Sequence, residues 1–315
     1  MLALRWDGSR ARVEDVPPPE PAAGFAVVDV TLAGVCNTDL EIVRGYMGFR
    51  GTLGHELVGR VARGPASWQG ARVVAEINFA CGACEACARG LGRHCATRAV
   101  MGILGADGAI AEQVAVPVVN LHRVPDGVSD EAAVFAEPLA AAFEILEQVE
   151  IDARTRALVL GDGKLGQLVA RVLAGAGARV TVVGKHAEKL ALLGAACVEV
   201  VLSPGAYGSG FGVVIEATGT AAGLEAAIAA TRPRGTLVLK STVAGKASVD
   251  LAPVVIHEIT LVGSRCGPFA PALAALASRA VDVAPLVSAR LALRQADEAL
   301  RRAGASGVLK VLVAP

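Results

Sequence analysis

Residues 157–173 read ALVLGDGKLGQLVARVL, a short apolar run ending in Gly161, Gly163 and Gly166 at the spacing G-x-G-x-x-G. Leu165, Leu168, Val169, Val172 and Leu173 then recur on one helical face, so the stretch reads as strand, tight turn and helix. The three glycines have separate tasks: a sharp turn, close backbone approach to a pyrophosphate, and close helix–strand packing. The helix start adds unpaired N–H groups and the positive end of its dipole. A glycine-rich turn alone often only packs. The strand before it and the helix after it assign this one to a dinucleotide, with Gly161, Gly163, Lys164, Leu165 and Gly166 around the phosphates.

The surrounding sequence agrees. Short apolar runs, VTVV (180–183), VEVVL (198–202), VVIEA (213–217), TLVLK (236–240) and ITLVG (259–263), alternate with helical patterns. That rhythm predicts a parallel sheet covered on both faces. Upstream the texture differs: FAVVDVTLAGV (25–35), ELVGRVA (56–62) and ARVVAEI (71–77) are β-rich and separated by Pro and Gly steps. The change falls near VPDGVSDEAAVF (124–135). A chain of 315 residues, 53% hydrophobic, can bury two cores.

Thirty basic residues balance thirty acidic ones, which argues against nucleic acid or an anionic membrane as partner. No run is long and apolar enough to span a bilayer, and the first residues lack the apolar stretch of a secretory signal. Seven cysteines, four of them bunched, do not resemble a disulfide framework. A reducing cytoplasm is the expected compartment.

The second strand of the alternating region, where NAD-binding units usually carry an acid, ends instead in Gly184, Lys185 and His186, with Lys189 a turn later. Absent acid and added cations favour NADP over NAD; the plain alternative is a solvated helix start whose lysines touch nothing.

Residues 81–95, CGACEACARGLGRHC, place Cys81, Cys84, Cys87 and Cys95 at metal-ligand spacing. Four thiolates complete a tetrahedral shell with no vacancy for substrate, so a zinc there is structural, and His94 is a bystander. An open metal site must draw on other segments. GVCNTDLEI (34–42) offers Cys36, TLGHELVGRV (52–61) offers His55 and Glu56, and VFAEPLAAAF (134–143) offers Glu137. Each is ordinary alone: a core cysteine, a surface His–Glu pair, a capping acid.

Taken in order, G-x-C-x-T-D, G-H-E-x-x-G, the four-cysteine lobe, E-P-L and G-x-G-x-x-G make the chain resemble the zinc-dependent medium-chain dehydrogenase/reductase family. Glu137 in E-P-L brings it nearest the sorbitol- and threonine-dehydrogenase-like branch. The resemblance implies two zinc ions per subunit. The catalytic one is held by Cys36 and His55, with Glu137 and Glu56 as remaining or exchanging ligands; which glutamate binds directly stays open. Such a set with one open position suits Lewis-acid activation of an alcohol for hydride transfer. By the same resemblance Asp39 orients His55 and Thr38 relays the alcohol proton. Glu41 stands where many relatives have the histidine that ends the relay. Ala217, Thr218 and Gly219 line the cofactor groove, Ser264 approaches the nicotinamide, and Lys310 meets the pyrophosphate or, alternatively, is an exposed lysine on an edge strand. Pro65 and the short stretch 101–113 depart from the family pattern near the substrate mouth, so substrate identity does not carry over.

The implied α/β fold is a GroES-like β-barrel catalytic domain, residues 1–124 with 267–315, plus a Rossmann doubly wound parallel-sheet domain, residues 125–266. The reaction expected is interconversion of a secondary alcohol or polyol and its ketone or aldehyde with NAD(P). A homodimer or homotetramer is expected, paired along a sheet edge near ITLVGS. Two readings compete: a zinc-free quinone or enone reductase of the same fold, and a non-catalytic NAD(P)-binding protein.

Overall fold

The computed structural model describes residues 1–196, 198–202, 207–242 and 248–315. It divides into one unit of Met1–Glu137 with Val287–Pro315 and a second of Pro138–Leu286. The boundaries fall later than the expected 124/125 and 266/267. After residue 124 the chain is still tied to the first unit: Asp130 pairs with Arg72 at 3.3 Å and Glu131 with Arg290 at 2.9 Å.

The first unit opens with an antiparallel hairpin, β1 (Leu2–Trp6) and β2 (Ala11–Asp15). The long β3 (Phe25–Val35) leads into the short helix α1 (Asn37–Ile42). Next come β4 (Gly51–Thr52), β5 (Glu56–Arg63) and β6 (Arg72–Ala75). A small lobe follows, of β7 (Asn78–Phe79), α2 (Glu85–Ala88), β8 (Ala99–Met101) and β9 (Gly105–Ala106). Strands β10 (Gln113–Pro117) and β11 (Leu121–Arg123) return to the main sheet before α3 (Asp130–Ala133). Helix α4 (Ala136–Gln148) begins at the boundary. In β3 only Asp29 and Thr31 are exposed, and Val27, Val28 and Val35 are fully buried. This is the pattern of a strand central to its sheet.

The second unit alternates strands and helices: β12 (Arg156–Leu160), α5 (Lys164–Gly175), β13 (Arg179–Val183), α6 (Ala187–Ala191) and β14 (Glu199–Val201). Its other half is β15 (Phe211–Glu216), α7 (Ala221–Ala230), β16 (Thr231–Leu239), α8 (Ala252–Ile256), β17 (Thr260–Gly263) and α9 (Phe269–Ala277). The six strands are parallel, in the order β14-β13-β12-β15-β16-β17. Numbered within the unit this is 3-2-1-4-5-6, the doubly wound dinucleotide arrangement. Ala157, Leu158 and Val159 are wholly buried, as a strand covered on both faces requires.

The chain then re-enters the first unit with β18 (Val287–Ala292), α10 (Ala296–Ala303) and β19 (Lys310–Ala314). Strand β19 lies inside the main sheet, parallel to β18 and antiparallel to β3. No helix among the described residues is long and apolar enough to cross a membrane.

Candidate active site

Strand register builds the first cluster. Gly34, near the end of β3, lies opposite Glu56 at the start of β5. Cys36, two residues on, caps α1 and comes beside the His55–Glu56 pair. A side chain at Gly34 would collide with the Glu56 carboxylate. One ligand atom each from Cys36, His55 and Glu56 lie within 4.8 Å of one another. His55 and Glu56 are buried and Cys36 is partly exposed.

Asp39, fully buried, organises this corner. Its Oδ2 accepts the Cys36 N–H at 2.8 Å and its Oδ1 accepts the Gly54 N–H at 3.1 Å. The same Oδ1 is 3.4 Å from His55 Nδ1, without the alignment of a hydrogen bond. Burial opposes protonation of His55, but the charges of Asp39 and Cys36 prevail and raise its pKa well above the ordinary value. Glu56 Oε2 pairs with the Lys310 ammonium, both side chains being fully buried, while Glu56 Oε1 has no hydrogen-bond partner among the described residues. A buried carboxylate oxygen in that state, beside a thiol and an imidazole, is a donor set that fits a zinc ion.

Thr38 Oγ1 is 3.8 Å from the Cys36 sulfur. Glu41 is nearly buried and pairs with Arg44 at 2.6 Å. Two expectations change here. Glu137, half-buried in the first turn of α4, is not in the cluster; Glu56 is the carboxylate brought to Cys36 and His55. Lys310 is neither on an edge strand nor available to a pyrophosphate. Its strand is flanked on both sides, and its ammonium lies with Glu56, 5.4 Å from the centre of the Phe135 ring.

The four clustered thiols do converge. Cys84 Sγ lies 3.5 Å from Cys87 and 3.8 Å from Cys95, and Cys81 lies 3.9 Å from Cys87. A tetrahedron with zinc–sulfur bonds of about 2.3 Å has edges of about 3.8 Å. Helix α2 supplies Cys87 and starts at Cys84. The Cys81 N–H and the Thr97 hydroxyl draw Cys95 down to about 6, while desolvation and Cys84 push Cys87 up to about 11. Cys36, Cys81, Cys84, Cys87 and Cys95 are free thiols; Cys197 lies outside the described residues.

In the second unit the glycines behave as their spacing implies. Gly161 takes a left-handed φ of 119°, and a Cβ there would stand 2.7 Å from the Ala217 carbonyl oxygen. At Gly166 a Cβ would strike the Gly161 carbonyl oxygen, so the close helix–strand approach is real. At Gly163, which caps α5, a Cβ would meet nothing within 4 Å, so the space in front of the helix start is open on the side where a helix N-terminus can accept an anion. Lys164 and Leu165 form the half-buried first turn of α5. At the next crossover Glu216 takes up the Thr218 N–H at 2.6 Å and the Gly219 N–H at 3.0 Å, fixing the turn after Ala217. Ser264 continues the ladder to Leu239 and accepts from Lys240, a buried lysine that also donates to the carbonyls of Ala141 and Arg265.

The strand end at Gly184 differs from its sequence reading. Lys185 is exposed, but Lys189 is buried, and an acid is present in space: Asp162 of the glycine turn accepts from the backbone N–H groups of Lys185 and His186. The sequence reading takes in Glu216 only as the start of the Glu216–Gly219 segment and does not single out Asp162 or Lys240. Only Asp162 left a signal, an acid between two glycines.

A thiol–imidazole–carboxylate cluster in one unit and a glycine-rich strand–turn–helix in the other are features of a metal-type, nicotinamide-dependent dehydrogenase. Residues 22–126 match the alcohol dehydrogenase GroES-like domain, and residues 165–282 match the zinc-binding dehydrogenase family. A 2-dehydro-3-deoxy-L-galactonate 5-dehydrogenase of Pseudoalteromonas atlantica is 30% identical over 85% of this chain and 84% of its own. A D-altritol 5-dehydrogenase of Agrobacterium fabrum is 31% identical over 94% of each. A Sinorhizobium meliloti structure, described as a zinc-binding dehydrogenase bound to NADP, superposes with a TM-score of 0.91 at 27% identity, covering 100% of this chain and 99% of that one. The chain belongs to the zinc-binding alcohol dehydrogenase family.

Proposed function

We propose that the chain interconverts a secondary alcohol of a polyol or sugar-derived substrate and its ketone, with hydride passing to or from a nicotinamide dinucleotide. The centre of reaction is Cys36, His55 and Glu56. The observation that carries this reading is their convergence within 4.8 Å, with a buried Glu56 oxygen lacking a partner among the described residues. Zinc bound there supplies Lewis-acid polarisation of the substrate oxygen.

The chain's own residues do the rest. Asp39 holds the Cys36 backbone and stands behind His55. The Thr38 hydroxyl, close to the Cys36 sulfur, accepts the proton leaving the alcohol as it passes its own proton outward to water. Glu41 is restrained by Arg44 and serves the outer relay at most weakly. Lys310 orients Glu56 through their buried ion pair. Cys81, Cys84, Cys87 and Cys95 hold a second, structural zinc. The names of the two relatives, each acting at position 5 of a sugar-derived chain, support the substrate class.

The partner is a second copy of the chain, paired along β17. That strand is the sheet edge, and Leu261 on it is exposed together with Leu251, Val255 and Ile256 nearby in sequence. Light scattering should read two chains or a multiple. Free thiols suit a reducing cytoplasm.

The test is a panel of sugar alcohols and secondary alcohols, offered with NAD+ and NADP+ to metal-quantified protein, reading reduced nicotinamide by absorbance. Two zinc ions per chain and turnover of at least one polyol are expected. One zinc per chain, or no turnover across the panel by zinc-replete protein, overturns the reading.

A further inference from the structure

We propose that Asp162 selects the dinucleotide: it reaches from the glycine turn into the space left by Gly184, receives the adenosine ribose hydroxyl, excludes a 2′-phosphate, and so makes this an NAD enzyme. The inference rests on the dinucleotide reading above and reverses the NADP preference that the sequence favours.

Gly184 directly follows β13, at the strand end where an acid would ordinarily contact the ribose. It is not among the glycines with a left-handed φ, so backbone conformation does not demand glycine there. Space does. A Cβ at Gly184 would lie 2.7 Å from Asp162 Cγ, and closer still to Oδ2. The carboxylate missing from the strand end is therefore delivered to the same place by a residue 22 positions earlier (bonded to Gly184's neighbour Lys185 at a separation of 23).

The backbone donors at this corner are already committed. Asp162 Oδ2 accepts the N–H groups of Lys185 at 2.7 Å and His186 at 2.8 Å. His186 Nδ1 lies 3.0 Å from Oδ2 and 3.1 Å from Oδ1. Two convergent backbone N–H groups beside an imidazole make a concavity suited to an anion. Here an internal anion fills it. Asp162 is buried, yet its bonds to His186 and Lys185 outweigh desolvation and hold it below the usual carboxylate range. Lys189, which would have to help neutralise a 2′-phosphate, is buried, and its carbonyl accepts from the Gln167 side chain. Among the described residues no backbone N–H is bonded to Oδ1, so it retains capacity to accept from a ribose hydroxyl. A phosphate dianion at the same point would meet a fixed like charge and backbone N–H groups already spent on it, with the exposed Lys185 side chain as the cation left to offset it.

The experiment measures NAD+ and NADP+ affinity directly, by calorimetry on zinc-replete protein, for wild type, Asp162→Ala and the double variant Asp162→Ala/Gly184→Asp. Circular dichroism and zinc content verify that each is folded. Wild type should bind NAD+ about tenfold or more tightly than NADP+, and Asp162→Ala should shift that ratio toward NADP+ by at least about tenfold. The double variant, which returns the acid to the strand end, should restore the preference for NAD+. Tighter binding of NADP+ by wild type overturns the assignment, as does an unchanged ratio in folded Asp162→Ala. Binding of neither dinucleotide overturns the dinucleotide reading itself, and this inference with it.

Discussion

Lys310 and Glu56 are 254 residues apart in the chain and form a fully buried ion pair. Removing one partner of such a pair leaves an uncompensated charge and typically costs about 3–5 kcal/mol. Lys310→Met should therefore destabilise the zinc-free protein by roughly that amount in urea unfolding. Zinc should recover part of the loss, because a cation on the free Glu56 oxygen compensates the same carboxylate. Equal losses with and without zinc would separate Glu56 from the metal. At the relay, Thr38→Ala should lower kcat by about tenfold to a hundredfold, within the usual range for a proton-transfer group. Glu41→Gln, at a carboxylate already held by Arg44, should change kcat less than about threefold. Equally small effects of both would remove the relay.

The helix–turn elements make a sharper contrast possible. Gly163 and Gly166 stand three residues apart at the head of α5, yet one faces open space and the other the Gly161 carbonyl. Gly163→Ala should leave the melting temperature unchanged and weaken dinucleotide binding, since the methyl group enters the phosphate cradle alone. Gly166→Ala should lower stability by about 1–3 kcal/mol, the usual cost of overpacking, whether or not dinucleotide is present. Paired thermal melts and binding titrations read both. The strand–turn–helix of residues 157–173 was legible because its signals are local: an apolar run, glycine spacing and helical periodicity. The strand end at Gly184 was not. An acid can be supplied by any residue whose side chain reaches the place; the sequence shows Asp162 only as an acid between two glycines, and tertiary packing brings it to the strand end.

Across the whole molecule, both metal-type clusters fall in the first unit and the phosphate-binding turn in the second. A chelator should therefore raise amide hydrogen exchange around residues 36–56 and 81–95 and leave 157–183 unchanged, while added dinucleotide should protect 161–166. Order of motifs and fold class were readable throughout, since five separated signatures each have a local spacing. The ligand set was less so. Glu137 and Glu56 are equally good carboxylates in sequence, and only the β3–β5 register, with Gly34 opposite Glu56, brings one of them to Cys36. The ion pairs of Asp130 and Glu131 with Arg72 and Arg290 tie the chain to the first unit past the change in sequence texture, a link that sequence texture does not carry.

Strand β19 completes the sheet that β3 and β5 begin, and it follows the inserted unit in the chain. During synthesis every residue of the parallel-sheet unit has left the ribosome before β19 does. That unit can mature early, whereas the earlier-made half of the barrel must wait with an open seam beside β3. The Glu56 carboxylate waits as well, without its lysine, until β19 arrives.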